Sequence, residues 1–246
     1  MRLKDKVVII TGSSSGIGQH LAVRFSKEGA KVVVNYNVNR KGAEETLGEI
    51  KKIGKDAYVV QADVSNPKDI ERLFDEVIKK FGVIDILINN AGIGTDKVPY
   101  MDATLADFEE MINTNLIGPM ICSQYALKIM QKQGYGKILF TSSIRGIEYG
   151  GRAPVYAATK AGINSFTKTL AKQFAPKILV NAVAPGCVKT RTYDSMSQEL
   201  IQSLLDMQYL KRFITKDEIA DAFIFLAKND AMTGQVIYVD GGFTLK

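Results

Sequence analysis

KVVIITGSSSGIGQHLAVRFSKEG, from Lys6 to Gly29, is the stretch that decides how the chain is read. Val7 to Ile10 is an unbroken β-branched run, the pattern of a strand buried on both faces of a parallel sheet. Thr11 to Gly18 is a glycine-serine turn. Ile17, Leu21, Ala22 and Phe25 then recur at helical spacing, and Gly29 supplies a stop. Strand, turn and helix in this order aim unpaired backbone N–H groups and a positive dipole end at one point, which suits a phosphate. Gly12 permits the turn, Gly16 lets a ligand approach the backbone, and Gly18 lets the helix pack on the strand. The spacing is G-x-x-x-G-x-G, not the commonest dinucleotide fingerprint. Taken alone, a purely structural strand-to-helix junction remains open.

Outward from this unit the first half repeats it. The pattern predicts strands at 32–36, 57–61 and 84–89, with helices over 42–53 and 67–81 between them and stops at Gly54 and Gly82. A long helix is expected from Thr104 to about Lys132, a strand over 137–141, a helix over 154–174 and a strand over 178–183. A looser, partly helical stretch (188–213) reads as amphipathic packing or a lid, before a helix over 215–227 and a strand over 235–239. Alternating strands and helices imply right-handed crossovers. The expectation is an α/β, doubly wound Rossmann fold: a seven-stranded, mostly parallel sheet flanked by helices, in a single domain spanning residues 1–246.

Composition narrows the functional classes. At 246 residues, 46% hydrophobic and 24% charged, the chain resembles an ordinary globular domain. No apolar run reaches membrane-spanning length, and the start enters the first strand too soon for a signal peptide, so no membrane partner is expected. Cys122 and Cys187 fit neither a metal-ligand spacing nor a disulfide framework, and a cytoplasmic location is expected. The net charge of +6 is spread along helices among glutamates, so no nucleic-acid partner is expected. With one histidine, His20, metal catalysis and Ser-His-Asp chemistry are not expected.

Polar residues gather where strands end. Asp63-Val64 follows the third strand and Asn89-Asn90-Ala91-Gly92 the fourth, at the edge where doubly wound sheets bind ligands. Asp63 as a turn cap and the Asn pair as Asx turns is the blander reading. Tyr156 and Lys160 stand at i and i+4 near a helix start and share a face. A phenol titrates near ~10, and a neighbouring ammonium pulls it toward the working range. Ser143, at the end of the preceding strand, can hold a substrate carbonyl beside that phenol. Asn115 falls mid-helix, where its propensity is poor, so a local distortion or a water-holding role is considered beside a simple exposed Asn.

The chain resembles the short-chain dehydrogenase/reductase family, in its compact single-domain branch. The match runs through Thr11 to Gly18, Asn89 to Gly92, Asn115, Ser143, Tyr156-Ala157-Ala158-Thr159-Lys160, Pro185-Gly186 and Val239-Asp240-Gly241-Gly242, in family order. The resemblance implies NAD(P)-linked interconversion of an alcohol and a carbonyl without metal. Tyr156 would be the general acid/base, Ser143 would polarise the carbonyl, Lys160 would lower the tyrosine pKa and bind the nicotinamide ribose, and Asn115 would hold a water in the proton relay. Gly12, Ser14, Ser15 and Ile17 would line the pyrophosphate and adenosine end, with Asn35, Tyr36 and Asn37 at the second strand's end. Asp63 and Val64 would border the adenine, Asn90, Ala91 and Gly92 the ribose side, and Val188 and Thr190 the nicotinamide amide. A homotetramer joined through the two long helices is implied.

Cofactor choice turns on the end of the second strand, where the family's NAD-selecting acid is replaced by Tyr36 between Asn35 and Asn37. Arg40 and Lys41 follow closely, and NADP is expected, with NAD use open. Relatives that reduce 3-oxoacyl thioesters on an acyl carrier protein make such a thioester the first substrate choice, and the basic surface suits that acidic partner. The Gly151 to Val155 stretch departs from those reductases, which keeps an aldose 1-dehydrogenase open. Gly94, Arg145, Tyr149, Cys187, Tyr193 and Met196 are the candidate substrate residues, Cys187 more as packing than as a reactive thiol. A non-catalytic nucleotide-binding regulator is the alternative from another class.

Overall fold

Val7, Val8, Ile9 and Ile10 are all buried, and they alternate between the sheet's two faces. The computed structural model describes residues 1–94, 98–147, 153–189 and 196–245. From this first strand, β1 (Val7–Ile10), the chain passes through α1 (Gly16–Lys27), β2 (Lys31–Tyr36), α2 (Arg40–Lys52), β3 (Ala57–Gln61), α3 (Pro67–Phe81) and β4 (Ile86–Asn89). The second half adds α4 (Leu105–Ile112), α5 (Gly118–Gln133), β5 (Gly136–Thr141), α6 (Pro154–Phe174), β6 (Ile178–Pro185), α7 (Gln198–Asp206), α8 (Lys216–Lys228) and β7 (Val236–Val239). The seven strands form one sheet in the order β3-β2-β1-β4-β5-β6-β7. Every pairing is parallel, so the expected "mostly parallel" sheet is wholly so.

The strand order reverses between β1 and β4, which opens a crevice beyond their carboxyl ends. One sheet face packs against α3, α5 and α6 through residues such as Phe74, Met130 and Ile163. The other packs against α1, α2 and α8 through Leu21, Phe25, Ile50 and Phe223. Helix starts follow their capping residues: Asn39, Asn66, Thr104, Ser197 and Thr215 each accept a first-turn N–H. Pro67 opens α3, and Gly82 ends it in the left-handed region at φ 72°.

One expectation is corrected. The long helix from Thr104 is interrupted: α4 ends at Ile112, a π-helical turn covers Asn113–Ile117, and α5 resumes at Gly118. A π turn is a recurrent marker of functional sites, and here it is centred on Asn115, the residue whose mid-helix position was anomalous. Sequence periodicity missed the break because Leu116, Ile121 and Tyr125 still pack on the same core.

Candidate active site

The glycine turn is held by residues from two neighbouring strands. Asn35, buried at the end of β2, accepts the Gly12 N–H through its Oδ1 at 3.0 Å and donates through Nδ2 to the Ala62 carbonyl at 3.0 Å. Thr11 Oγ1 accepts from the backbone N–H groups of Asn90 and Ala91, both at 3.0 Å. Asn90 Nδ2 returns bonds to the Thr11 and Gly12 carbonyls. The ends of β1, β2, β3 and β4 are thereby tied into one rim.

Gly12 adopts φ +62°, and a side chain there would strike Ala91. Gly16 adopts φ +59° and faces open space. Gly18 has no room for a Cβ against the Asn90 side chain and the Gly12 carbonyl, so its close neighbour is this turn rather than β1. Unlike α2 and α3, α1 receives no side-chain cap from its N-cap residue, Ser15; it also has no acid in its first turn. Free first-turn N–H groups opening onto a void fit a dinucleotide pyrophosphate.

A cavity of about 670 Å³ runs from this turn across the sheet end. Gly12, Ser14, Ser15, Ile17, Asn35, Asn37, Asp63, Val64, Asn90, Ala91, Gly92 and Val188 all line it, as expected. Tyr36 is not on its wall. Successive strand residues alternate faces, and the Tyr36 side chain packs on the apolar layer with α1 and α2, while Asn37, past the strand end, reaches the cavity. Asp63 both lines the cavity and makes the Asx turn, accepting from Ser65 N and Oγ. Thr190 lies outside the described residues.

Ser143, Tyr156 and Lys160 line the same cavity. Three successive residues at the β5 end are held by three residues spaced at i, i+4 and i+8 on α6. Lys160 Nζ donates to the Thr141 carbonyl at 2.8 Å, Ser142 Oγ donates to Asn164 Oδ1 at 2.6 Å, and Ser143 hydrogen-bonds Tyr156. Ser143 Oγ also accepts the Arg145 N–H. Lys160 and Asn164 are buried, and Gly146 packs too closely on both for any side chain.

The electrostatics correct one expectation. Burial pushes the Tyr156 phenol above its ordinary value; the Ser143 hydrogen bond and the Arg145 charge pull it down without cancelling that. The Lys160 ammonium is turned to the Thr141 carbonyl and stands 5.5 Å from the Tyr156 ring centre. Burial pushes Lys160 itself down to about 8.

Asn115 sits within the π turn. Its side chain is buried off the cavity wall, where Oδ1 accepts the Ile93 N–H and Nδ2 donates to the Ile93 carbonyl, each at 2.9 Å. With the amide engaged in this clamp, the side chain is not free to hold a water.

The family model described as Enoyl-(Acyl carrier protein) reductase matches residues 12–244. The chain is 38% identical over 240 residues to a 3-oxoacyl-[acyl-carrier-protein] reductase of Staphylococcus aureus, covering 96% of this chain and 97% of that one. A short chain dehydrogenase of Burkholderia cenocepacia solved in complex with NADP superposes with a TM-score of 0.89 at 30% identity, covering 99% of each chain. A mutant short-chain dehydrogenase/reductase of Serratia marcescens superposes at 0.92 with 28% identity, covering 99% of this chain and 100% of that one. The chain belongs to the short-chain dehydrogenase/reductase family. It is an NAD(P)-dependent oxidoreductase acting between an alcohol and a carbonyl.

On the substrate side of this short-chain dehydrogenase/reductase, Gly94, Arg145, Cys187 and Met196 line the cavity, while Tyr149 and Tyr193 lie outside the described residues. Cys187 packs with Ile144 and Phe243, as a packing residue should. Leu200 and Leu204, in the stretch read as packing or a lid, are on the wall, while sequence reasoning missed Glu110, Ile144 and Phe243 there. Phe243 is brought there by a turn in which Asp240 accepts from Gly242 N, Thr244 N and Thr244 Oγ1. The Asp240-Gly241-Gly242 run was the available signal.

Proposed function

We propose that this short-chain dehydrogenase/reductase prefers NADP and reduces a 3-oxoacyl thioester, or a closely related ketone, to the secondary alcohol. The observation that carries the reading is that Ser143, Tyr156 and Lys160 open onto the same cavity as the glycine turn. When bound, the nicotinamide supplies the hydride. Ser143 Oγ and Tyr156 Oη hold the substrate oxygen, and Tyr156 delivers the proton that turns it into a hydroxyl. Lys160, fixed against Thr141, presents a positive charge that favours the phenolate left behind. Asn115, its amide committed to Ile93, has its backbone within the π turn to hold a water for reprotonation.

NADP is supported by the absence of a carboxylate among Asn35, Tyr36, Asn37 and Asn39, and by Arg40 and Lys41 at the start of α2. A positive helix end with two adjacent cations suits a 2′-phosphate. The relative from Staphylococcus aureus and the NADP complex from Burkholderia cenocepacia agree with this reading. The net charge of +6 suits an acidic acyl carrier protein as the thioester's bearer. Exposed Leu105 and Ile112 on α4 and Ile117 in the π turn support a homotetramer joined through the two long helices that hold Asn115 and Tyr156. Two buried free cysteines support a reducing, cytoplasmic location.

The test is NADPH oxidation with 3-oxoacyl thioesters, simple ketones and, in reverse, sugars and alcohols. Tyr156→Phe is expected to abolish turnover while NADPH still binds. Turnover retained in that variant rejects the mechanism, and a strong NADH preference rejects the cofactor assignment.

A further inference from the structure

Beyond the wall formed by Ile93, Gly94 and Glu110 lies a second cavity of about 130 Å³. Those three residues also line the large cavity, so the two voids abut. Its remaining walls include Val98, Phe108, Met111 and Val155. Phe108 is braced by ring stacking on Tyr100 at 5.8 Å. The carboxylate of Asp107, also on the wall, is engaged in the capping box with Thr104. The annex is fixed to the site on two sides. Val155 immediately precedes Tyr156, and Met111 Sδ accepts from Asn115 Nδ2 at 3.0 Å.

We propose that this annex receives the apolar tail of the substrate, a linear chain of about five carbons or fewer, and that it sets the chain-length preference of the enzyme. A polar group entering it would exchange water for mainly apolar walls and lose hydrogen bonds, whereas an alkyl chain gains burial. Apolar cavities of about 150 Å³ admit a benzene ring, so about 130 Å³ suits five carbons or fewer in a row. Counted from a reacting carbonyl at the third carbon, such a tail belongs to 3-oxoacyl groups of up to eight carbons. This rests on the proposed reductase reading.

The experiment compares kcat/KM for N-acetylcysteamine thioesters of 3-oxo acids from four to twelve carbons, with methyl ketones of matching tail length run in parallel. Each added methylene up to eight carbons is expected to raise kcat/KM about fourfold, with no further rise beyond. Ala103 also lines the annex, and Ala103→Leu, which narrows it, is expected to flatten the rise. Phe108→Ala, which widens it, is expected to carry the rise to longer chains. The readout is the ratio of eight-carbon to four-carbon kcat/KM within each variant, which partial misfolding cancels. A ratio unmoved by both substitutions overturns the annex. Inert thioesters with ketones that keep the substitution-sensitive ratio overturn the thioester reading and leave the annex standing. Inertness of both series overturns both.

Discussion

Replacing Lys160 with methionine is expected to stabilise the protein at neutral pH while abolishing turnover. Lys160 is 6% exposed, and burial pushes its ammonium from 10.5 down to about 8. At about 1.4 kcal/mol per pKa unit, charging it inside the fold costs about 3 kcal/mol. The sign follows from proton counts. Below pH 8 both folded and unfolded chains hold the proton, and the whole penalty is present. Between pH 8 and 10.5 the unfolded chain holds a proton that the native one has released, so wild-type stability climbs. Methionine removes the charge at similar length but loses the bond to the Thr141 carbonyl, worth about 2 kcal/mol for a charged donor. The net gain at pH 7 is then about 1 kcal/mol. The firmer quantity is the change in the stability difference between variant and wild type, which should fall by about 3 kcal/mol between pH 7 and 10.5, from about +1 to about −2. Urea unfolding followed by circular dichroism at fixed protein concentration measures it, since the chain has no tryptophan. A difference that stays constant across that range refutes the buried-charge account.

Three further outcomes are expected. Arg145→Met removes a positive charge that pulls the Tyr156 phenol down, so the rising limb of the pH profile for alcohol oxidation should move to higher pH; an unmoved limb shows that Arg145 does not act on the phenol. Asn37→Asp places a carboxylate on the cavity wall just past the β2 end, where the structure has Asn37, and the NADPH to NADH ratio of kcat/KM should fall at least about tenfold, equivalent to about 1.4 kcal/mol of repulsion. Asn164→Ala leaves the buried Ser142 hydroxyl without its acceptor, and a stability loss of about 1–3 kcal/mol is expected in urea titrations. Its kcat should drop about tenfold at unchanged KM, with recovery in Asn164→Asp, which keeps the acceptor.

The parts of this structure that were legible in the sequence are those where a local pattern has one physical solution. An apolar run of Val and Ile followed by glycines reads as a buried strand entering a tight strand-to-helix turn, and β1 spans the expected Val7–Ile10. Pro67 and Gly82 bracket α3 at the expected residues for the same reason. What escaped depends on contacts distant in sequence. Asn35 was read as a cofactor residue at a strand end, yet its amide also braces Gly12 and Ala62, contacts that strand periodicity does not encode. Burial dominates at the Tyr156 phenol, and helical spacing brings Lys160 near without fixing where its ammonium points. That direction is set by a carbonyl nineteen residues away on β5. Phe243 reaches the cavity only because the chain's last turn folds over the β6 end, with Gly186 against Asp240.

Two buried lysines at opposite ends of one layer show how the fold separates stability from chemistry. Lys137, in β5 near its start, is 2% exposed and meets the Asp230 carboxylate at 2.7 Å and the Asn229 carbonyl at 2.6 Å. Nearby Asp85 accepts from Lys6 Nζ, Val7 N and Tyr135 Oη. Charges at that end of the sheet are matched by opposite charges or donors. At the carboxyl end, Lys160 meets a neutral carbonyl and the face of the Tyr156 ring rather than a carboxylate among the described residues, and Asn89 Oδ1 and Asn164 Nδ2 have no hydrogen-bond partner there. A buried cation given a carboxylate is neutralised and inert toward a ligand, whereas one given a carbonyl dipole keeps most of its field for whatever enters the cavity. The Lys160 charge is therefore an electrostatic strain that the rest of the sheet is stable enough to carry, held beside the Tyr156 ring on the cavity wall.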